Sequence, residues 1–481
     1  MDVAKDVVVA NRVPSDDGFI EQVFKGVPLA DAVLSLQSYL LQPEFLNGIF
    51  AAHRGRCYED LLQFPRFVEL LIDALQQHGG SARQSLIKAK EDGRLTTTTR
   101  AFYGKLSRMP LDVSQALVLA AGLRLQPLLP KGALRRLPAC LDGLSIYMVD
   151  GKKLKKAAKR LLVTRGYAGK LFGGKLLVAW QPHTGLAFAM SAHLDGEKND
   201  SPLMPALLPQ VVQALPGPRL AVADRQFCDL VQIERWRANG DHYLLRYHPK
   251  VTFHADPERP TQTTTDEHGR TVREEWGWLG VPSRQDRPYV RRITLQRGKG
   301  DEDILLVTDL LDAAVYPATD LLAVYALRWR IECVFQQITE IFSLDHLIAS
   351  TPQGTIFQAA YCLILYNMTH VIRSYVALGQ EKPLAVEDVS TEMLFTDIRS
   401  ELIGLRLFAT PLDIAAMIPP ARTIAQMRDH LSDLLTGLWH ALWRKAVNKK
   451  PRPKVEPAKK SGAHTSVFRI LEKHRRPTDT G

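Results

Sequence analysis

Three short segments carry the residue types from which a metal-dependent phosphoryl-transfer site is built. Asp150 closes the apolar run LSIYMV (144–149), and Asp224 closes RLAVA (219–223). Hard carboxylate oxygens of this kind suit Mg²⁺, which keeps part of its water shell. Two such ions about 4 Å apart can neutralise and align the attacking and leaving oxygens of a phosphodiester. The third segment is YALRWRIECVFQQI (325–338), where Tyr325, Arg328 and Glu332 recur at spacings of three and four and share one helical face. A carboxylate there suits a metal, a guanidinium suits a backbone phosphate, and a phenol suits a phosphate or base. Each segment also has a plainer reading. An Asp after a strand is commonly a turn or cap residue, and a Tyr-Arg-Glu stripe is commonly an exposed, ion-paired helix face.

The elements that must position these groups follow from the hydropathy pattern. Strands are expected at 144–149, 175–180, 186–192, 219–223, 243–247 and 304–308, with a turn at Pro182-His183-Thr184-Gly185. Helices are expected at 202–214 and 227–239, and one long helix runs from Thr319 to about Phe342, with Leu327, Ile331, Val334 and Ile338 on its apolar side. Three meandering strands followed by helix, strand, helix, strand predict an α/β fold with a mixed sheet and helices on its faces. Residues 249–301 are polar, turn-rich and β-prone, and read as a β-rich insertion ahead of the Glu332 helix. The division is an N-terminal helical region (1–135), a catalytic domain (136–345), a C-terminal helical region (346–443) and a basic flexible tail (444–481). Within the first, 81–90 and 97–108 flank Asp92-Gly93 like a helix-turn-helix. Arg100, Tyr103, Lys105 and Arg108 on its second helix are candidates for contacting DNA.

Composition narrows the partners. The 481 residues carry a net charge of +11, and 12 Lys and Arg against three acids beyond position 443 account for +9 of it. Such an end attracts polyanions, or simply aids solubility. The five cysteines form no C-x-x-C pair, which argues against a thiolate zinc site and a disulfide framework. No stretch near the N-terminus reads as a signal peptide. The most apolar segment, 359–378, is interrupted by Asn367, His370 and Arg373 and reads as a core helix rather than a membrane span. A soluble, cytosolic protein is expected. Just after Asp150 come Lys152, Lys153, Lys155, Lys156, Lys159 and Arg160, a candidate phosphate-tracking patch whose alternative is a solvated loop. Asp195, Glu197 and Asp200 in the loop HLDGEKND compete as metal ligands, although Asp200 before Ser201-Pro202 reads more simply as a helix N-terminal residue. His193 reads as structural. Trp180 and Trp329 are candidates for stacking on a base, with core packing as the alternative.

The Tyr325, Arg328, Glu332 spacing resembles the signature helix of DDE-type bacterial transposases of the insertion sequence 4 family, in which a Lys follows seven residues after the Glu. IYMVDGKKL resembles the family's first aspartate segment, AVADRQF its second, and HRGRCYEDLLQFP its helical leader. The likeness spans roughly residues 30–440. It implies a ribonuclease-H-like core and a cut-and-paste transposase, in which Asp150, Asp224 and Glu332 are catalytic and hold Mg²⁺ as a pair of ions, with Mn²⁺ able to substitute. It further implies DNA binding by Tyr325 and Arg328, joined by Lys152 and Lys153. The implied partners are the element's own terminal inverted repeats and a target DNA, with a homodimer as the active form in the bacterial cytoplasm, on the nucleoid. The family's Lys position holds Thr339 here. That substitution favours the other reading, a transposase-derived DNA-binding protein without catalysis.

Overall fold

Alternating apolar residues build a single ten-stranded sheet. The computed structural model describes residues 17–57, 62–78, 81–95, 97–298, 301–346, 348–418, 423–445 and 463–475. The strands are β1 (Ser145–Lys153), β2 (Lys170–Phe172), β3 (Lys175–Trp180), β4 (Ala187–His193), β5 (Arg219–Ala223), β6 (Asp241–Arg246), β7 (Phe253–Ala255), β8 (Gln262–Thr265), β9 (Thr271–Leu279), β10 (Tyr289–Leu295), β11 (Ile304–Thr308) and β12 (His464–Ser466). The sheet order is β4-β3-β1-β5-β6-β11-β10-β9-β7, with β8 on β9, while β2 and β12 pair apart from it. The pairs β1–β5 and β5–β6 are parallel, and the other pairs of the main sheet are antiparallel. The mixed α/β sheet expected from the sequence is therefore present. The β-prone segment 249–301 contributes β7 to β10, which lengthen this same sheet.

Strand parity divides the interior in two. Ile146 and Met148 of β1, with Leu220 and Val222 of β5, face one core; Tyr147 and Val149, with Ala221 and Ala223, face the other. The second core is closed by α8 (Met204–Ala214) and α9 (Leu230–Ala238). The first is closed by the N-terminal helices α1 (Asp17–Lys25), α2 (Pro28–Leu40), α3 (Pro43–His53), α4 (Phe64–Gln76), α5 (Ala82–Glu91), α6 (Thr99–Ser107) and α7 (Leu111–Leu125), and by α10 (Ala318–Ala326), α11 (Trp329–Glu340) and α12 (Pro352–Leu378). Further helices α13 (Thr391–Phe408), α14 (Pro411–Met417), α15 (Ile424–Leu435) and α16 (Val467–Arg475) follow.

Helix α12 is long and apolar enough to cross a membrane, but it lies wholly inside the protein. Its polar side chains are used internally. The Asn367 amide donates to the Ala187 carbonyl (2.7 Å) and accepts from the Ala187 N–H (2.9 Å), completing the outer edge of β4 as a neighbouring strand would. Nearby, the turn at 182–185 ends on Gly185 with φ +76°, and a Cβ there would fall 2.3 Å from His370 Nε2. Only glycine fits.

Three expectations need correction. The single helix from 319 to 342 is two helices, α10 and α11. The N–H groups of Leu327, Arg328, Arg330 and Ile331 bond three residues back, which tightens the chain between them. Lys105 of the helix-turn-helix candidate is buried: its ammonium donates to the Leu62 carbonyl (2.7 Å) and lies 4.6 Å above the Phe50 ring. Arg100 and Arg108 are exposed and Tyr103 is half-buried. The tail is not uniformly flexible. Residues 464–466 pair with β2, and α16 follows. Residues 446–462 and 476–481 of that tail lie outside the described residues.

Because removing the Asn367 side chain leaves two buried backbone groups of Ala187 without partners, Asn367→Ala is expected to cost about 3 kcal/mol. Denaturant unfolding of the purified variant measures this; a loss below ~0.5 kcal/mol would show that the edge of β4 does not depend on that amide.

Candidate active site

Parallel pairing of β1 with β5 sets the two aspartates side by side. Val149 stands opposite Ala223 in the last pair of that ladder, so Asp150 and Asp224 are the next residues on adjacent strands, which lie about 4.8 Å apart. By parity both project toward the core that holds α10 and α11. Their backbone settings match. Asp150 Oδ1 accepts from the Gly151 N–H (2.8 Å) and Asp224 Oδ1 from the Arg225 N–H (2.6 Å), leaving both Oδ2 atoms for the site.

Arg328 joins the third carboxylate to this pair. Its Nη1 lies 3.5 Å from Asp150 Oδ2 and 3.4 Å from Glu332 Oε1. Those two oxygens can therefore be no more than about 7 Å apart, inside the ~8 Å that ligands of a metal pair span. The tightened chain at 327–328 contributes. Three residues make one turn there, which eclipses Tyr325 with Arg328, and Glu332 follows at the ordinary helical spacing in the first turn of α11. Arg328 lies 5.8 Å from the Tyr325 ring centre.

The electrostatics are set by carboxylates crowded around one guanidinium. Burial pushes the Asp150 carboxyl up to about 6, helped by Glu332 and Asp200, while the Gly151 N–H and Arg328 oppose it. Arg328 is half-buried and held above its ordinary range against burial by Tyr325 and by the charges of Asp150, Asp224 and Glu332. Among the described residues its Nε and the Tyr325 hydroxyl, both buried, find no hydrogen-bond partner. Among the described residues no three ligands stand close enough to hold a metal as they are. The donor set nonetheless fits a hard divalent cation. Carboxylates on three elements converge, and the positive charge they need is supplied by one guanidinium.

The other sequence candidates lie elsewhere. Lys152, two residues beyond Asp150 on the same face, is half-buried. Its ammonium donates to the Phe335 carbonyl of α11 (3.0 Å), and burial pulls its pKa down to about 8. Thr339 donates its hydroxyl to that same carbonyl (2.7 Å). Lys153, Lys155, Lys156, Lys159 and Arg160 are exposed. Asp195 and Glu197 pair with Arg469 of α16 rather than with the carboxylate cluster. His193 accepts from the Asp195 N–H (3.0 Å). Trp180 is buried and donates to the Gly185 carbonyl, whereas Trp329, beside Arg328, is 61% exposed.

Asp200 stands at the N-terminus of the short 3-10 helix Ser201–Leu203, as its sequence position suggests, but its side chain makes no capping hydrogen bond; its buried carboxylate pairs with Lys175 and accepts from Gln226. A Cβ on Gly151 would fall 2.2 Å from it, so Gly151 must be glycine. Asp200 thus ties the residue after Asp150 to the segment after Asp224. The glycine following Asp150 was the one visible signal. Arg225 and Arg246, which share Glu302, also lie near Asp224.

Residues 140–368 match the family described as Transposase DDE domain. The match supports a transposase function, implies DNA as a partner, and fits the general use of divalent metal ions by DDE domains. A search of the curated proteins finds no match.

Because burial raises the Asp150 pKa from 3.8 to about 6, the folded state keeps a proton that the unfolded chain releases across that interval. The resulting cost grows as pH rises through it and is complete above. Asp150→Asn is therefore expected to raise the metal-free stability at pH 7–8 by on the order of 2 kcal/mol, seen as a higher unfolding midpoint, and to give no gain below pH 4. Thermal unfolding in EDTA at both pH values decides it.

Proposed function

We propose that this protein is a cut-and-paste DNA transposase of the insertion sequence 4 family, with Asp150, Asp224 and Glu332 as its metal-binding catalytic carboxylates. The observation that carries the reading is Arg328 lying between Asp150 and Glu332, beside an Asp224 placed by strand register. Mg²⁺ or Mn²⁺, two ions in the proposed form, would supply charge neutralisation at the scissile phosphate and an acidified water nucleophile. Arg328 has a buried nitrogen without a partner among the described residues and would bind a DNA phosphate. Tyr325, with its unpartnered hydroxyl, would take a neighbouring phosphate or base. Lys152 supplies an ammonium on the Phe335 carbonyl shared with Thr339, close to where the family carries its lysine. Lys153 would extend that charge along the strand at the surface. DNA ends of the element, a target duplex, a homodimeric complex and a cytoplasmic, nucleoid-bound location belong to the same reading.

The test is cleavage of a duplex bearing the element's terminal repeat, taken from the DNA flanking the gene. Asp150→Asn, Asp224→Asn and Glu332→Gln are each expected to lower cleavage at least 10³-fold while changing end binding less than about threefold. Wild-type cutting rates in any one of them would remove that residue from the site. The second reading, a DNA-binding protein without catalysis, draws on Thr339. It would show as end binding by the wild type with no cleavage in Mg²⁺ or Mn²⁺ and no metal uptake by calorimetry.

A further inference from the structure

On a different face of α11 lies a cavity of about 790 Å³, walled by α11, α12, α13, the Arg135 loop and residues 442–445. Its charge is unbalanced. Arg135, Arg330, Arg373, Arg399, Arg444 and Lys445 line it, against Glu340, Glu387 and Glu392. Two of the acids are engaged: Glu387 pairs with Arg135, and Glu340 accepts from Gln336 (2.8 Å). Glu392 is exposed. Among the described residues Arg330, Arg373, Arg444 and Lys445 make no ion pair, although Asp388 lies near enough to act on the Lys445 charge.

Arg373 is the informative member. It is buried on α12, yet its hydrogen bonds go only to neutral groups, the Thr391 hydroxyl (2.5 Å) and His370 Nδ1 (3.1 Å). His370 Nε2 stands 3.0 Å from the Thr184 carbonyl, so Nε2 carries the proton, Nδ1 accepts, and the ring is neutral. Burial, and then the Arg373 charge, hold the His370 pKa down to about 3. Arg373 Nε is buried with no partner among the described residues. Burial first, and then the charges of Arg330 and Arg135, lower the Arg373 pKa. A buried cation without a counter-ion is costly unless an anion completes it. Several guanidiniums around one space match a multiply charged tetrahedral oxyanion better than a single carboxylate.

We propose that this cavity is a binding site for a phosphate-bearing anion, with Arg330 and Arg373 as its inner ligands and Arg444 and Lys445 at its mouth. The site is separate from the carboxylate cluster, so it stands or falls independently of the catalytic reading. Its phosphate comes either from a DNA strand held by the protein or from a free nucleotide or pyrophosphate.

The test is calorimetric titration of the full chain with inorganic pyrophosphate in EDTA, which excludes metal-mediated binding at the carboxylates. Saturable binding tighter than ~1 mM is expected. Arg330→Gln and Lys445→Gln, both at accessible positions, should each weaken it at least tenfold, while Arg83→Gln, an equal charge loss on the exposed face of α5, should leave it unchanged. Arg373→Gln is read only if its circular dichroism matches the wild type. Displacement of pyrophosphate by a short single-stranded oligonucleotide identifies a DNA phosphate as the ligand; displacement by ATP alone identifies a free one. No saturable binding, or equal weakening by Arg83→Gln, overturns the proposal.

Discussion

Val149 faces Ala223 across the parallel β1–β5 ladder, and the two aspartates are what the chain adds next on each strand. Everything at the candidate site depends on that register. A shift of one residue would turn either aspartate to the opposite face of the sheet, among the apolar side chains of α8 and α9. The register is held from several sides. Alternating residues fill two separate cores, β6 continues the parallel pairing, and Asp200 sits where a Cβ of residue 151 would be. The carboxylate of Asp200, held by the Lys175 and Gln226 side chains, packs against Gly151 directly after Asp150.

A cluster of carboxylates is a strained thing to fold. Asp150 is buried, its neighbours are acidic, and one guanidinium serves several carboxylates. Arg328 makes that tolerable by standing between Asp150 and Glu332. The same placement keeps its Nε and the Tyr325 hydroxyl buried and unsatisfied. Buried polar groups left unpaired beside a cation lower stability, so this cluster is held in place by the packing around it. The break between α10 and α11 belongs to this arrangement, because the tightened turn brings the phenol over the guanidinium.

Cationic side chains are divided between structure and surface in ways their sequence positions do not reveal. Lys105 and Lys152 sit in motifs that suggest contact with nucleic acid, yet each donates to a backbone carbonyl of another segment. Lys153, Lys155 and Lys156, one to four residues from Lys152, are exposed. Arg373 is deeper still, inside a helix whose composition reads as core. Charge counts along the chain therefore describe the field of the protein, whereas the reach of each side chain is set by what packs beside it.

The sequence by itself determined the strands at 175–180, 219–223 and 304–308, the mixed α/β character, and the position of Asp150 and Asp224 at the ends of two apolar strands. Each of these follows from local periodicity, which two or three neighbouring side chains suffice to define. The spacing of Tyr325, Arg328 and Glu332 was legible for the same reason. Only the tertiary structure decided the rest: the break at 327–328, the burial of Lys105 and Lys152, the capture of Asp195 and Glu197 by Arg469, and the place of Asp200 against Gly151. Most of these are contacts between segments tens to hundreds of residues apart. No local pattern encodes them, because their energies depend on which distant surface arrives.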